Sequence, residues 1–220
     1  MQTVAITGAN RGIGLEFARY YQSQGAKVYA LCRSSNAELE SLGVNVITGA
    51  EVTTDQGLDV IAQGLAGAEL DILICNAGIL RDEQLGSLNI ETIKQQFEVN
   101  TLAPLLIVER LESQLKSGAK VAMITSRMGS IEDNTSGGRY GYRMSKAALN
   151  AASKSLSHDL RLNNVSVGIY HPGYVQTDMV GGRGDISADV AATRIANLIA
   201  QLSLQNTGVF YHSNGQQLPW

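Results

Sequence analysis

Along this chain, short apolar runs alternate with longer stretches in which apolar positions recur at helical spacing. The runs are Thr3–Thr7, Lys27–Leu31, Asn45–Thr48, Asp71–Cys75, Lys120–Thr125, Ser166–Tyr170 and Gly208–Tyr211. Between them, helical periodicity covers Gly12–Gln24, Asp55–Leu65, Ile90–Lys116, Tyr140–Leu162 and Ala188–Leu204, with a weaker helical signal over Asn36–Leu42. Strands this uniformly apolar have no wet face, and their alternation with helices predicts an α/β fold. It is a doubly wound parallel sheet of about seven strands, with right-handed crossovers and helices on both faces. In such sheets ligands bind beyond the carboxyl ends of the strands, where the strand order reverses, so chemistry-bearing residues should follow strands directly. No repeat, low-complexity tract or linker interrupts the pattern. Residues 1–220 therefore read as one domain, long enough to bury a substantial core.

Composition narrows the function. Hydrophobic residues make up 44% and charged residues 17%, the latter below the usual quarter, which suits a sheet covered on both sides. A net charge of −3 gives no electrostatic reason to expect nucleic acid as a partner. The best membrane candidate, Leu102–Val108, ends at Glu109 and falls far short of the roughly 20 apolar residues a span requires. The first apolar run leads straight into a motif rather than a cleavage site, so a cytoplasmic protein is expected. Cys32 and Cys75 are isolated and read as reduced, buried thiols, while His158, His171 and His212 are scattered; no metal site is predicted.

The first strand runs into "TGANRGIG", which places Gly8, Gly12 and Gly14 between strand and helix. Glycines there permit a tight turn, close approach of backbone to a pyrophosphate and close helix–strand packing, while the helix N-terminus supplies free N–H groups. The second strand ends in Leu31-Cys32-Arg33, with no carboxylate to bind free ribose hydroxyls. Arg33 and Arg11 instead offer guanidinium groups to a 2′-phosphate, so NADPH is expected over NADH.

"GGRYGYRMSKAAL" holds two tyrosines and a lysine at the start of a predicted helix. Residues four apart share a helix face. Tyr142 and Lys146 are so related, whereas the residue four beyond Tyr140 is Met144, which has nothing to offer a phenol. Tyr142 is the expected proton carrier.

With these motifs in hand, the chain resembles the short-chain dehydrogenase/reductase family over essentially its whole length, and its 126–150 tract is most similar to the C-factor-like and sniffer-like carbonyl reductases. Thr7 to Gly14, Asn76-Ala77-Gly78, Asn100, Ser126, Tyr142 to Lys146, and Pro172-Gly173 with Thr177 occur in the family's order. The resemblance implies a Rossmann-type, NAD(P)-binding oxidoreductase domain and a small carbonyl substrate, together with assembly into a homodimer or homotetramer. It implies cofactor contacts from Gly8, Asn10, Arg11, Gly12, Ile13, Gly14, Arg33, Glu51, Val52, Asn76, Ala77, Gly78, Tyr142, Lys146, Pro172, Gly173, Val175 and Thr177. Glu51 stands where the family usually has aspartate, and Cys75 replaces an asparagine.

Carbonyl reduction puts negative charge on oxygen as hydride reaches carbon, so a proton donor and a second hydrogen-bond donor must face that oxygen. The resemblance assigns these to Tyr142 and Ser126. Strand alternation favours Ser126 over its neighbour Thr125, and Ser130 lies further into the loop. Lys146 is expected to lower the phenol pKa and to hold the nicotinamide ribose, and Asn100 to anchor a water that joins the lysine to solvent. The loop between Ser126 and Tyr142, rich in glycine and small polar residues, reads either as a mobile lid or as a surface excursion. The competing function is a cofactor-binding signalling or interaction protein without physiological turnover.

Overall fold

A computed structural model describes residues 1–220. Its centre is a parallel sheet of seven strands, in the order β3-β2-β1-β4-β5-β6-β7. The strands are β1 (Thr3–Thr7), β2 (Lys27–Leu31), β3 (Asn45–Ile47), β4 (Leu70–Cys75), β5 (Leu115–Ile124), β6 (Ser166–His171) and β7 (Phe210–His212). The helices are α1 (Gly12–Ser23), α2 (Ala37–Glu40), α3 (Asp55–Gly64), α4 (Ile90–Phe97), α5 (Ala103–Leu111), α6 (Tyr140–Asp159) and α7 (Ala188–Gln201).

Alternation along the strands sorts the core into two halves. Val4, Ile6, Ile72, Ile74, Ala122 and Ile124 face α1 and α7, meeting Phe17, Ala18, Ile195 and Ile199. Ala5, Leu73, Val121, Met123 and Val167 face the opposite layer, meeting Leu58, Ile61, Ile107, Leu111 and Leu149 of α3, α5 and α6. Leu73 is fully buried, and truncating such a residue to alanine costs about 2–5 kcal/mol. Both halves are needed, because a parallel sheet has no face that tolerates water.

Two predicted elements differ from the structure. The expected helix Ile90–Lys116 is interrupted: α4 passes into a π-helical turn at Glu98–Leu102 before α5 begins, and a 3-10 turn at Glu112–Gln114 ends it. Pro104 lies in the first turn of α5 and has no N–H to donate to the Asn100 carbonyl four residues back, so a regular α-helix cannot run through this point. Strand β5 also begins earlier than the apolar run, at Leu115. Residues 115–119 extend it, with only Ala119 of them buried, and the pairing with β4 shifts register between Leu70 and Ile72.

Candidate active site

Strand β1 has β2 on one side and β4 on the other. The chain crosses to opposite faces after β1 and β4, which opens a crevice of about 470 Å³ beyond their carboxyl ends. Gly8 and Gly12 adopt the left-handed backbone (φ 66° and 53°) that lets the turn fold tightly. Gly14 lies outside the crevice lining and serves packing: a Cβ there would sit 2.2 Å from the Gly8 carbonyl oxygen. Asn76 locks the same turn, its Nδ2 donating to the carbonyls of Thr7 (3.1 Å) and Gly8 (3.3 Å), while the Thr7 hydroxyl accepts from the N–H groups of Asn76 and Ala77. Helix α1 starts at Gly12, with Arg11 at its N-cap position making no side-chain cap and no acidic residue in its first turn, so its first N–H groups and partial positive charge remain for an anion. A dinucleotide's pyrophosphate fits this donor set.

The end of the crevice beside β2, where the adenosine is expected, is lined by Asn10, Arg11, Arg33, Glu51 and Val52, with Cys32, Ser34 and Ala50 beside them. Asn10 ties the glycine turn to the end of β2, donating to the Ser34 carbonyl at 3.0 Å, and its own carbonyl accepts from Asn36 at 2.6 Å. Each arginine meets a carboxylate that the linear sequence does not place beside it. Arg33 lies 3.4 Å from Glu51, and Arg11 lies 3.7 Å from Asp178. The segment after β3 thus places a carboxylate beside Arg33.

At the other end, Gly78, Ile79, Tyr142, Lys146, Pro172 and Thr177 line the crevice, with Asp178 and Met179 adding to the wall. Gly173 and Val175, expected as contacts, frame this loop instead. Gly173 has φ 100°, and Val175 is buried and bridges to Ile186. Ser126 and Asn100 also stand behind the lining rather than in it.

Helix α6 carries the reactive pair. Tyr142 and Lys146 are both buried, and the lysine Nζ lies 5.9 Å from the phenol ring centre. Nζ donates to the Ile124 carbonyl at 2.9 Å, which fixes the ammonium under the end of β5. Burial pushes the Lys146 pKa down to about 8. Burial also raises the Tyr142 pKa, opposed by a hydrogen bond with Ser126 and by the Arg139 charge. The lowering expected from Lys146 does not appear in the protein alone, where desolvation is the largest influence on the phenol and Arg139 supplies the opposing charge. Ser126 caps the short turn after β5, accepting from Met128 N–H at 3.1 Å. Thr125, unlike Ser126, is among the residues that line the crevice, and its hydroxyl donates to Asn150 Oδ1 at 2.7 Å.

Asn100 is fully buried in the π-turn. Its side chain clasps the segment after β4, accepting from Ile79 N–H at 2.8 Å and donating to the Ile79 carbonyl at 2.9 Å; it also contacts the Ser145 hydroxyl at 3.1 Å.

One residue of the site escaped the sequence reading. Glu83 is 2% exposed. Its Oε1 accepts from Thr92 (2.6 Å) and Gln96 (2.8 Å), and its Oε2 from the Gly141 N–H (3.2 Å). Burial raises its pKa, but these hydrogen bonds outweigh it and hold the carboxyl below its usual range. This carboxylate caps the N-terminus of α6, one residue before Tyr142, where no side chain of the helix itself provides a cap. A lone glutamate in "RDEQ" gives no local signal of that role. The loop between Ser126 and Tyr142 is laced by its own bonds: Arg127 with Asp133, Ser130 with Asp133 N–H, and Asn134 with Gly137 N–H.

A phosphate cradle at a topological switch point, with a buried tyrosine–lysine pair at its far end, defines a dinucleotide-dependent oxidoreductase. The short chain dehydrogenase family model matches residues 2–186. The chain is 38% identical over 226 residues to 1-hydroxy-2-glutathionyl-2-methyl-3-butene dehydrogenase of Rhodococcus sp. (strain AD45), covering 100% of both proteins. It superposes on the NADPH-bound carbonyl reductase from chicken fatty liver with a TM-score of 0.91 at 28% identity, covering 100% of this chain and 99% of that one. For the carbonyl reductase Sniffer of D. melanogaster the TM-score is 0.92 at 29% identity, with 100% of each chain covered. The protein belongs to the short-chain dehydrogenase/reductase family, as an NAD(P)-dependent oxidoreductase of carbonyl reductase type.

Proposed function

We propose that residues 1–220 form one NAD(P)-binding oxidoreductase domain that reduces a small ketone, aldehyde or quinone with NADPH, Tyr142 acting as general acid. The observation that carries this reading is the buried Tyr142–Lys146 pair closing the end of the crevice, with Ser126 just past β5 behind it. The nicotinamide, when bound, supplies hydride and, once oxidised, positive charge beside the phenol. Ser126 and Tyr142 both donate toward the substrate oxygen, so negative charge developing there meets two prepared donors. Tyr142 gives its proton as the C–O bond becomes an alcohol, and Lys146 stabilises the phenolate that remains. Asn100 holds the Ile79 backbone and a water path by which the lysine and phenol recover the proton.

Arg11 and Arg33 line the adenosine end and favour a 2′-phosphate. The Rhodococcus relative's name describes a substrate bearing a glutathionyl group, whose peptide carboxylates extend the substrate class to carbonyl compounds with a charged tail. Leu102 and Leu106, exposed on the turn and helix between β4 and β5, suit burial between copies in a homodimer or homotetramer.

The test is a panel of quinones, diketones and aromatic aldehydes, with NADPH oxidation as readout. Tyr142→Phe is expected to lower kcat by about 10²–10⁴-fold, the usual worth of a positioned acid, while NADPH still binds. Loss of activity in Tyr140→Phe with an active Tyr142→Phe protein would refute the choice of tyrosine. Turnover of no member of the panel by the wild-type protein, despite tight NADPH binding, would favour the signalling or interaction role.

A further inference from the structure

Tyr140, the tyrosine left without a catalytic part, lines a second cleft of about 660 Å³ with Asp82, Met128, Arg139 and Arg143. Helix α6 lines both clefts, with Tyr142 in the first and its neighbour Arg143 in this one. The segment after β4 walls both, through Ile79 on one side and Asp82 on the other. The Arg139 guanidinium lies 3.8 Å from the Met128 sulfur, and Met128 N–H is bonded to Ser126.

The charges in the cleft do not balance. Arg139 shares Asp82 at 3.4 Å. Arg143 bonds only to neutral acceptors, the carbonyls of Gly137 (3.3 Å) and Gly138 (3.2 Å) and the Ser136 hydroxyl (2.8 Å). Asp133, the next carboxylate near it, is taken by Arg127. Two guanidinium groups thus face the cleft against one carboxylate, and burial and the Arg139 charge both push the Arg143 pKa down. The backbone adds a second observation. Gly137, Gly138 and Arg139 are three successive left-handed residues, with φ of 64°, 62° and 51°. Glycine adopts that region freely and arginine does so only under strain. The backbone bond that sets the bend, from Arg139 N–H to the Glu83 carbonyl at 2.7 Å, needs no arginine side chain. A strained arginine where glycine would be relaxed, aimed at a cleft with excess positive charge, points to a ligand.

We propose that this cleft binds a carboxylate on the carbonyl substrate, remote from the reacting carbon, through Arg143 and Arg139. A planar carboxylate can take paired N–H bonds from a guanidinium, and binding it here would orient the carbonyl toward Ser126 and Tyr142. The inference rests on the carbonyl reductase reading and deepens it by naming the substrate's charge.

The test compares 4-carboxybenzaldehyde with its neutral methyl ester, in the wild type and in Arg143→Gln. The wild type should prefer the acid in kcat/KM, and the variant should lose about tenfold of that preference, the worth of one charge-assisted contact, with common losses cancelling in the ratio. Arg139→Gly, which relieves the backbone strain, should keep its thermal midpoint and yet lose acid preference. An equal acid-to-ester ratio in the wild type and Arg143→Gln would overturn the proposal. Calorimetric titration of the NADP⁺-loaded protein with terephthalate separates the two claims, because it needs no turnover. Terephthalate binding that weakens by about tenfold in Arg143→Gln supports the cleft even if neither aldehyde is reduced. Equal binding in both proteins refutes it even if both aldehydes are good substrates.

Discussion

Helix periodicity alone separates Tyr142 from Tyr140, and the structure turns the two phenols into different clefts. That separation of the two side chains was legible because it depends only on residues four apart. The environment of Arg33 was not, because its partner Glu51 arrives from the far side of β3. The pairing bears on the proposed NADPH preference, since Glu51 engages the guanidinium proposed to meet a 2′-phosphate and would repel such a phosphate. Glu51→Gln is therefore expected to shift the ratio of NADH to NADPH dissociation constants further toward NADPH, by about tenfold for one removed charge contact. Titration of both cofactors by nicotinamide fluorescence checks it. A shift toward NADH would mean that Glu51 does not face the 2′ position.

At the scale of elements, the strands and most helices followed from apolar periodicity, while the interruption of the Ile90–Lys116 segment did not. Periodicity averages over a long window, and one extra residue in the turn at Glu98–Leu102 hardly disturbs it. Pro104 was the local sign, and the structure shows its consequence in the placement of Asn100. Glu83 was illegible for a different reason: its bond to Gly141 N–H spans 58 residues of sequence, and nothing local marks it as a cap for α6. Its folded-state pKa is lowered. Its contribution to stability is therefore complete above the ordinary carboxylate range and is lost as pH falls through the lowered value. Glu83→Gln should destabilise the protein at neutral pH and flatten the acid limb of its stability curve, with Gly141 N–H still paired but no charge at the helix terminus. Denaturant midpoints across the acid range measure this; an unchanged acid limb would remove Glu83 from the account of how α6 is held.

Across the whole molecule, the architecture and the candidate site were readable together because a parallel sheet gathers the residues that follow its strands. Gly8, Asn76, Ser126 and Pro172 are far apart in sequence and meet at one edge because each follows a strand, β1, β4, β5 and β6 in turn. What stayed hidden were contacts that the order of strands does not dictate, among them the arginine cleft and the T-shaped His171–His212 pair at 4.9 Å. The central claim is that this convergence delivers a proton donor to a carbonyl oxygen beside the nicotinamide. A crystal structure of the protein with NADP⁺ and a trapped carbonyl compound tests it most directly. Tyr142 Oη and Ser126 Oγ are both expected within about 2.6–3.2 Å of that oxygen. A phenol turned away from the nicotinamide, with the carbonyl oxygen held by other groups, would contradict it.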